Sequence, residues 1–226
     1  MKNRGTRGGI GRKLGPASFA LILFTLSGPV DNAFAATEPG EFLLDFGRRA
    51  ATELNDESLS RTEREQRFRV LFNEAVDLRS ISRFVLGRSW RSASDDDRDK
   101  FLAVFEDMAL RRFLPLFTRQ NDAYKGKGFD VLETQRPEGR SKTVLVHTRF
   151  VRESGKETSL VWRLSEQGER FKIVDVMVEG ISMALTLRQE YGAAAKRLGG
   201  VAGLVEQLRS KVSADAAAPK PAAVRD

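Results

Sequence analysis

Midway along this chain the spacing of apolar residues changes from three-and-four to two, and that switch limits the architectures open to it. Before it, Phe42, Phe46, Ala50 and Leu54 fall on one helical stripe, and Phe68, Leu71, Phe72 and Ala75 fall on a second. A third stripe carries Phe101, Leu102, Phe105, Met108, Phe113, Leu116 and Phe117. After it, the runs 129–135 (FDVLETQ), 142–151 (KTVLVHTRFV), 158–165 (TSLVWRLS) and 171–178 (FKIVDVMV) favour strand. RPEG, ESGK and EQGE separate them, each with a turn glycine. Links this short join antiparallel neighbours, so the expected sheet is a four-stranded meander. Helical spacing returns from about Met183, breaks at Gly199 and Gly200, and resumes in VAGLVEQLRSKV. The layout is α+β: helices, then an antiparallel four-stranded sheet, then helices folded back over it.

Local signals place the element ends. SRTE (60–63) matches a capping box, Asp77 can cap a short helix that Gly87 stops, and SDDD (94–97) opens a long one. Pro115 kinks or ends that helix. VMVEGISMALTLRQEY (176–191) turns from strand to helix across almost no loop, with Gly180 at the joint. That position suits a residue tolerant of positive φ. A helix launched there must cross one sheet face, on which Val144, Val146, Thr148 and Phe150 alternate with their neighbours, as do Leu160, Trp162 and Leu164.

The first 35 residues read as an export signal. Arg4, Arg7, Arg12 and Lys13 precede the apolar run FALILFTL (19–26), and AFA (33–35) supplies small residues for cleavage. The run is shorter than the roughly 20 residues of a membrane span. The expected organisation is a signal peptide over 1–35, a single domain over 36–212 and a disordered tail over 213–226, with a periplasmic location. The whole chain has 38 Lys+Arg and 31 Asp+Glu, a net charge of +7. Five of those bases and one acid lie in residues 1–35, so the remainder carries 33 against 30, a net of +3. Mixed signs and that small excess argue against nucleic-acid binding. With no cysteine there is no disulfide framework and no thiolate metal site, so the exported chain relies on its apolar core.

Periodicity leaves two readings of that core open: filled by its own side chains, or opened into an apolar cavity for a ligand. An enzyme reading has little to stand on. His147 is the only histidine, and no nucleophile elbow, H-E-x-x-H, P-loop or dinucleotide fingerprint accompanies it. Asp95 to Asp97 lack the spacing of a calcium loop and suit capping. Asp175 is an acid among apolar strand residues, explained by an ion pair or by outward orientation. Arg88 and Arg91 flank Trp90, either as solvated charges or beside a phosphate.

Four stretches together resemble a known family. ISRFVLGRSWRSAS (81–94) is similar to the xSRxVLGRYWRxAT block of the toluene-tolerance, or MlaC, family of periplasmic substrate-binding proteins. DRDKFLAVFEDMALRRF follows at the expected place, and FKIVDVMVEGISMALTLRQEY resembles the W-x-x-x-D-V-x-V-x-G-V-S-L ending, with Arg188 in the place of the family's helix arginine. GGVAGLVEQLRSK resembles the closing G-x-x-x-L-x-x-L. Ser89 stands where the family has Tyr, and Phe171 where it has Trp. TLRQEY with its following Gly-Gly is closer to the branch associated with hopanoid biosynthesis.

The resemblance implies a curved sheet and helices related to nuclear-transport-factor-like domains, with an elongated apolar cavity between them. It implies a carrier that holds phospholipid by its acyl chains and shuttles it between membranes, without catalytic residues, metal or cofactor. Its partners would be an inner-membrane lipid ABC transporter with a ring-forming lipid-binding subunit and an outer-membrane lipoprotein complex. Alternative readings are a carrier of a hopanoid or other polycyclic lipid, and an adaptor module with a filled core. The expected cavity lining is Phe105, Met108, Val144, Val146, Leu160, Trp162, Val176 and Ile181.

Overall fold

Short links and alternation do set the sheet. The computed structural model describes residues 38–118, 129–137, 142–151 and 155–217, all within one compact unit. The proposed signal peptide, parts of the RPEG and ESGK links and the last residues of the tail lie outside these. Strands β1 (Phe129–Gln135), β2 (Thr143–Val151), β3 (Glu157–Gln167) and β4 (Arg170–Val178) pair antiparallel in sequence order. A fifth strand, β5 (Ile181–Ser182), extends the expected four. It exists because the joint at Gly180 is a hairpin. Glu179 and Gly180 have φ of 49° and 80°, the pair of positive values that a tight two-residue turn demands. The chain therefore reverses along β4 before helix α6 (Met183–Arg197) begins, where a direct launch was expected.

Among the described residues five α-helices precede the sheet, and four of them have a local reason to begin. α1 (Pro39–Leu54) has proline in its first turn. α2 (Arg61–Ala75) starts on the capping box, with Glu63 N donating to Ser60 Oγ at 3.2 Å and Ser60 N to Glu63 Oε2 at 2.8 Å. α3 (Leu78–Leu86) is capped by Asp77, which accepts from Ser80 N at 2.9 Å, and ends at Gly87. α4 (Arg88–Ser92) is a single turn. α5 (Asp95–Phe113) is capped by Ser94, and its acids pair with Arg98 and Lys100 one turn on. Pro115 sits in the 3-10 turn Leu114–Phe117 that closes it. After α6, Gly199 and Gly200 break the helix, and α7 (Val201–Ala217) runs past residue 212.

The far edge of β4 is tied to α2. Val76 bridges Ile173, and Asp77 N donates to Ile173 O at 3.0 Å. Lys172 Nζ donates to Asn73 O at 2.9 Å and Glu74 O at 2.5 Å, satisfying carbonyls that α2 leaves open at its C-terminus.

Two apolar cores result. One joins α1, α2 and the end of α5 to the sheet around Phe42, Phe68, Leu71, Val144, Val146 and Leu164. The other joins α3, α4, the start of α5, α6 and α7 around Val85, Trp90, Phe101, Tyr191 and Leu204. α5 belongs to both, contributing Phe101, Val104 and Phe105 to the helical core and Ala109 and Leu110 to the sheet core. No helix among the described residues is long and apolar enough to cross a membrane.

Candidate functional site

Where the two cores meet they do not fuse. A cavity of about 210 Å³ remains, bordered by α1, α2, α3, α5 and its 3-10 turn, α6 and the strands β3 and β4. Aromatic side chains make much of its wall: Phe46, Phe68, Phe72, Phe105, Phe113 and Phe117. Several hold one another edge-on or tilted, as Phe46 and Phe68 each do with Phe117 at 5.5 Å between ring centres. Leu160, Trp162, Val176 and Val178 supply the sheet side, and Met183, Ala184 and Leu187 supply α6.

The sheet wall depends on a bulge. Leu160 pairs with Val178, Trp162 with Val176 and Leu164 with Ile173, so Val174 is an extra residue between two regular stretches. Strict alternation would put Ile173 on the face opposite Val174, Val176 and Val178. The inserted residue resets that parity and brings Ile173, Val176 and Val178 into one series against β3. Trp162 is fixed in turn, since its Nε1 donates to Thr148 Oγ1 at 3.0 Å and that buried hydroxyl donates to Leu160 O at 3.3 Å.

Asp175 is the one ionisable residue among those lining the cavity, and its carboxylate is already used. Oδ1 accepts from Ala184 N at 2.9 Å, and Oδ2 accepts from Ser182 Oγ at 2.6 Å with Arg163 Nη1 at 3.5 Å. Ser182 Oγ also caps α6, accepting from Leu185 N at 3.0 Å. The buried acid thus pins the start of α6 to β4 and leaves no free charge facing the cavity.

The expected lining residues separate into two sets. Phe105, Leu160, Trp162 and Val176 line the cavity. Val144 and Val146 lie at 1 % and 0 % exposure within the sheet core, because Phe42, Leu43 and Phe46 of α1 fill that core with them. Met108 packs in the helical core and accepts a contact from Tyr191 Oη at 3.8 Å. Ile181 is 64 % exposed on β5, which the hairpin turns away from the cavity. The phenylalanines of α1, α2 and the end of α5 were legible only as helical stripes; nothing in their spacing separates a core wall from a cavity wall. His147 is not among the lining residues and pairs in register with Glu133 and Val161.

An antiparallel sheet with helices packed against it borders an apolar cavity without free charge, the kind of surface that an apolar ligand site requires. The particular family follows from direct comparison. The family model described as MlaC protein matches residues 47–210, and the chain belongs to the MlaC family. Among solved structures, a phospholipid-binding protein from Ralstonia solanacearum, determined in complex with a phospholipid, has a similar fold. It matches with a TM-score of 0.63 and 17 % identity, over 78 % of this chain and 98 % of that one.

Proposed function

We propose that this protein is a periplasmic phospholipid carrier. It takes acyl chains into the cavity between its two cores and carries the lipid between an inner-membrane transport complex and an outer-membrane lipoprotein complex. The observation that supports the reading is the cavity itself: its walls are apolar, and its one carboxylate is already committed to Ser182, Ala184 and Arg163. MlaC membership and the phospholipid-bound neighbour of like fold favour the same ligand class.

The energetics fit the task. A buried methylene is worth about 0.8 kcal/mol, so a lipid with roughly thirty would stand on the order of 20 kcal/mol too high in water. A carrier must cover those groups yet release them to a bilayer, where they are equally well covered. Apolar contact without strong head-group bonds gives that near balance. The job requires no chemistry, and none of its steps calls for a catalytic residue. The cavity of about 210 Å³ is below the ~300–1,000 Å³ of ordinary ligand sites, so loading must part its walls. The seam between the two cores, along Phe105, Phe113 and Leu160, is where they can separate without opening either core.

Mass spectrometry of an organic extract of the purified protein tests the proposal. Phospholipid is expected at near one per chain, and Leu160→Arg is expected to lose it while keeping its fold. A polycyclic lipid in the extract would redirect the proposal to a hopanoid-like cargo. No bound lipid, together with no uptake from labelled vesicles, would overturn it.

A further inference from the structure

A second concavity is basic. An open cleft of about 680 Å³ between α3, α4, the start of α5 and α6 is lined by Arg79, Arg83, Arg88, Arg91, Arg98 and Arg188, with Phe84, Gly87 and Trp90. Three of the six guanidinium groups are anchored. Arg98 donates to Trp90 O at 2.9 Å and to Asp95 at 2.7 Å, Arg79 stands 3.6 Å from Asp99, and both lie over the Trp90 ring at 5.6 and 5.9 Å. Arg188 reaches across from α6, donates to Phe84 O and covers the Phe84 ring at 4.8 Å. Gly87 makes room for it: a Cβ there would meet Arg188 Nη2 at 3.2 Å. Arg83, Arg88 and Arg91 are exposed, and among the described residues no acid forms an ion pair with any of these three or with Arg188.

We propose that this arginine cleft is a docking site for an acidic segment of a partner protein. Cations gathered in one concavity repel each other, and a bound polyanion removes that cost. Every cation in the cleft is arginine and none is lysine, beside an exposed phenylalanine and a tryptophan. Protein interfaces are enriched in arginine and aromatic residues and depleted in lysine, whereas a charged membrane surface attracts both bases alike. The planar forks match carboxylates two bonds at a time. A concave cleft on four helices admits a narrow chain more readily than a flat bilayer, and a single phosphate could not match all four arginines that lack an acid partner, Arg83, Arg88, Arg91 and Arg188. No residue lines both this cleft and the apolar cavity.

Fluorescence anisotropy with labelled octaglutamate tests the proposal on the intact protein. Arg83→Glu with Arg88→Glu is expected to weaken binding about tenfold or more. Arg61→Glu with Lys211→Glu, the same charge change elsewhere, is expected to alter it by less than about twofold. The neutral pair Arg83→Gln and Arg88→Gln serves if the reversed pair melts early. Lipid uptake is expected to survive in all of them, which separates this test from that of the cavity. Equal weakening by both reversed pairs would overturn the proposal. So would displacement of the peptide by low-millimolar inorganic phosphate, or Arg83- and Arg88-dependent capture on phosphatidylglycerol vesicles by a protein that ignores the peptide.

Discussion

Asp175 and Tyr191 carry the strongest single-residue constraints. Asp175 is 4 % exposed and joins β4 to α6 through Ser182 and Ala184. Asp175→Ala is expected to cost about 2 kcal/mol, the range of a lost charged hydrogen bond plus a lost helix cap, measured by urea unfolding. Tyr191 is 5 % exposed, and burial pushes its hydroxyl up to about 12 from 10.0. The folded state therefore favours the neutral phenol. Its contribution to stability is complete below pH 10 and is lost as pH rises toward 12. Melting curves should fall across that window, and Tyr191→Phe should flatten the fall. The sequence marked Asp175 as out of place among apolar neighbours; only the fold assigned it to the start of a helix nine residues on.

At the level of elements, two glycines make joints for different reasons. Gly87 has φ 54° and ψ −113° between α3 and α4 and lies under Arg188, whereas Gly180 has φ 80° with open space beside it. Gly180→Ala should cost about 1 kcal/mol for conformation alone, and Gly87→Ala about 2–3 kcal/mol because a side chain there also displaces Arg188. Equal losses on urea titration would show that Arg188 yields freely. Helix starts were readable because caps are local: Ser60 with Glu63, Asp77 and Ser94 all act within three residues. The bulge at Val174 was not readable. FKIVDVMV does break alternation at Ile173-Val174, but adjacent apolar residues occur in buried strands too, and the extra residue is identified only by its mismatch with β3.

For the whole molecule, the cavity sets stability against function. The apolar side chains bordering the cavity forgo the contacts that a filled core would give them, so the empty protein is less stable than one with that space filled. Ala109→Leu, on the α5 wall, is expected to raise the melting temperature of the empty protein and to lower its uptake of lipid from vesicles. A variant that is stabilised yet loads fully would place the acyl chains elsewhere. Val146→Glu is a different experiment: at 0 % exposure in the sheet core it should unfold the protein rather than block loading.

The amino-acid order determined the helices longer than one turn, the four-stranded meander with its turns, and the apolar faces of its regular strands, because those depend on neighbours a few positions apart; the single turn α4 and the hairpin to β5 were not marked in it. It also carried the family blocks around Trp90 and Gly180. Tertiary packing alone decided which apolar faces would meet and which would stand apart. Val144 and Leu160 occupy equivalent alternating positions, yet α1 closes over one while the other borders a void. A hydrophobic pattern records that a side chain avoids water. It does not record whether another side chain or a ligand fills the space in front of it.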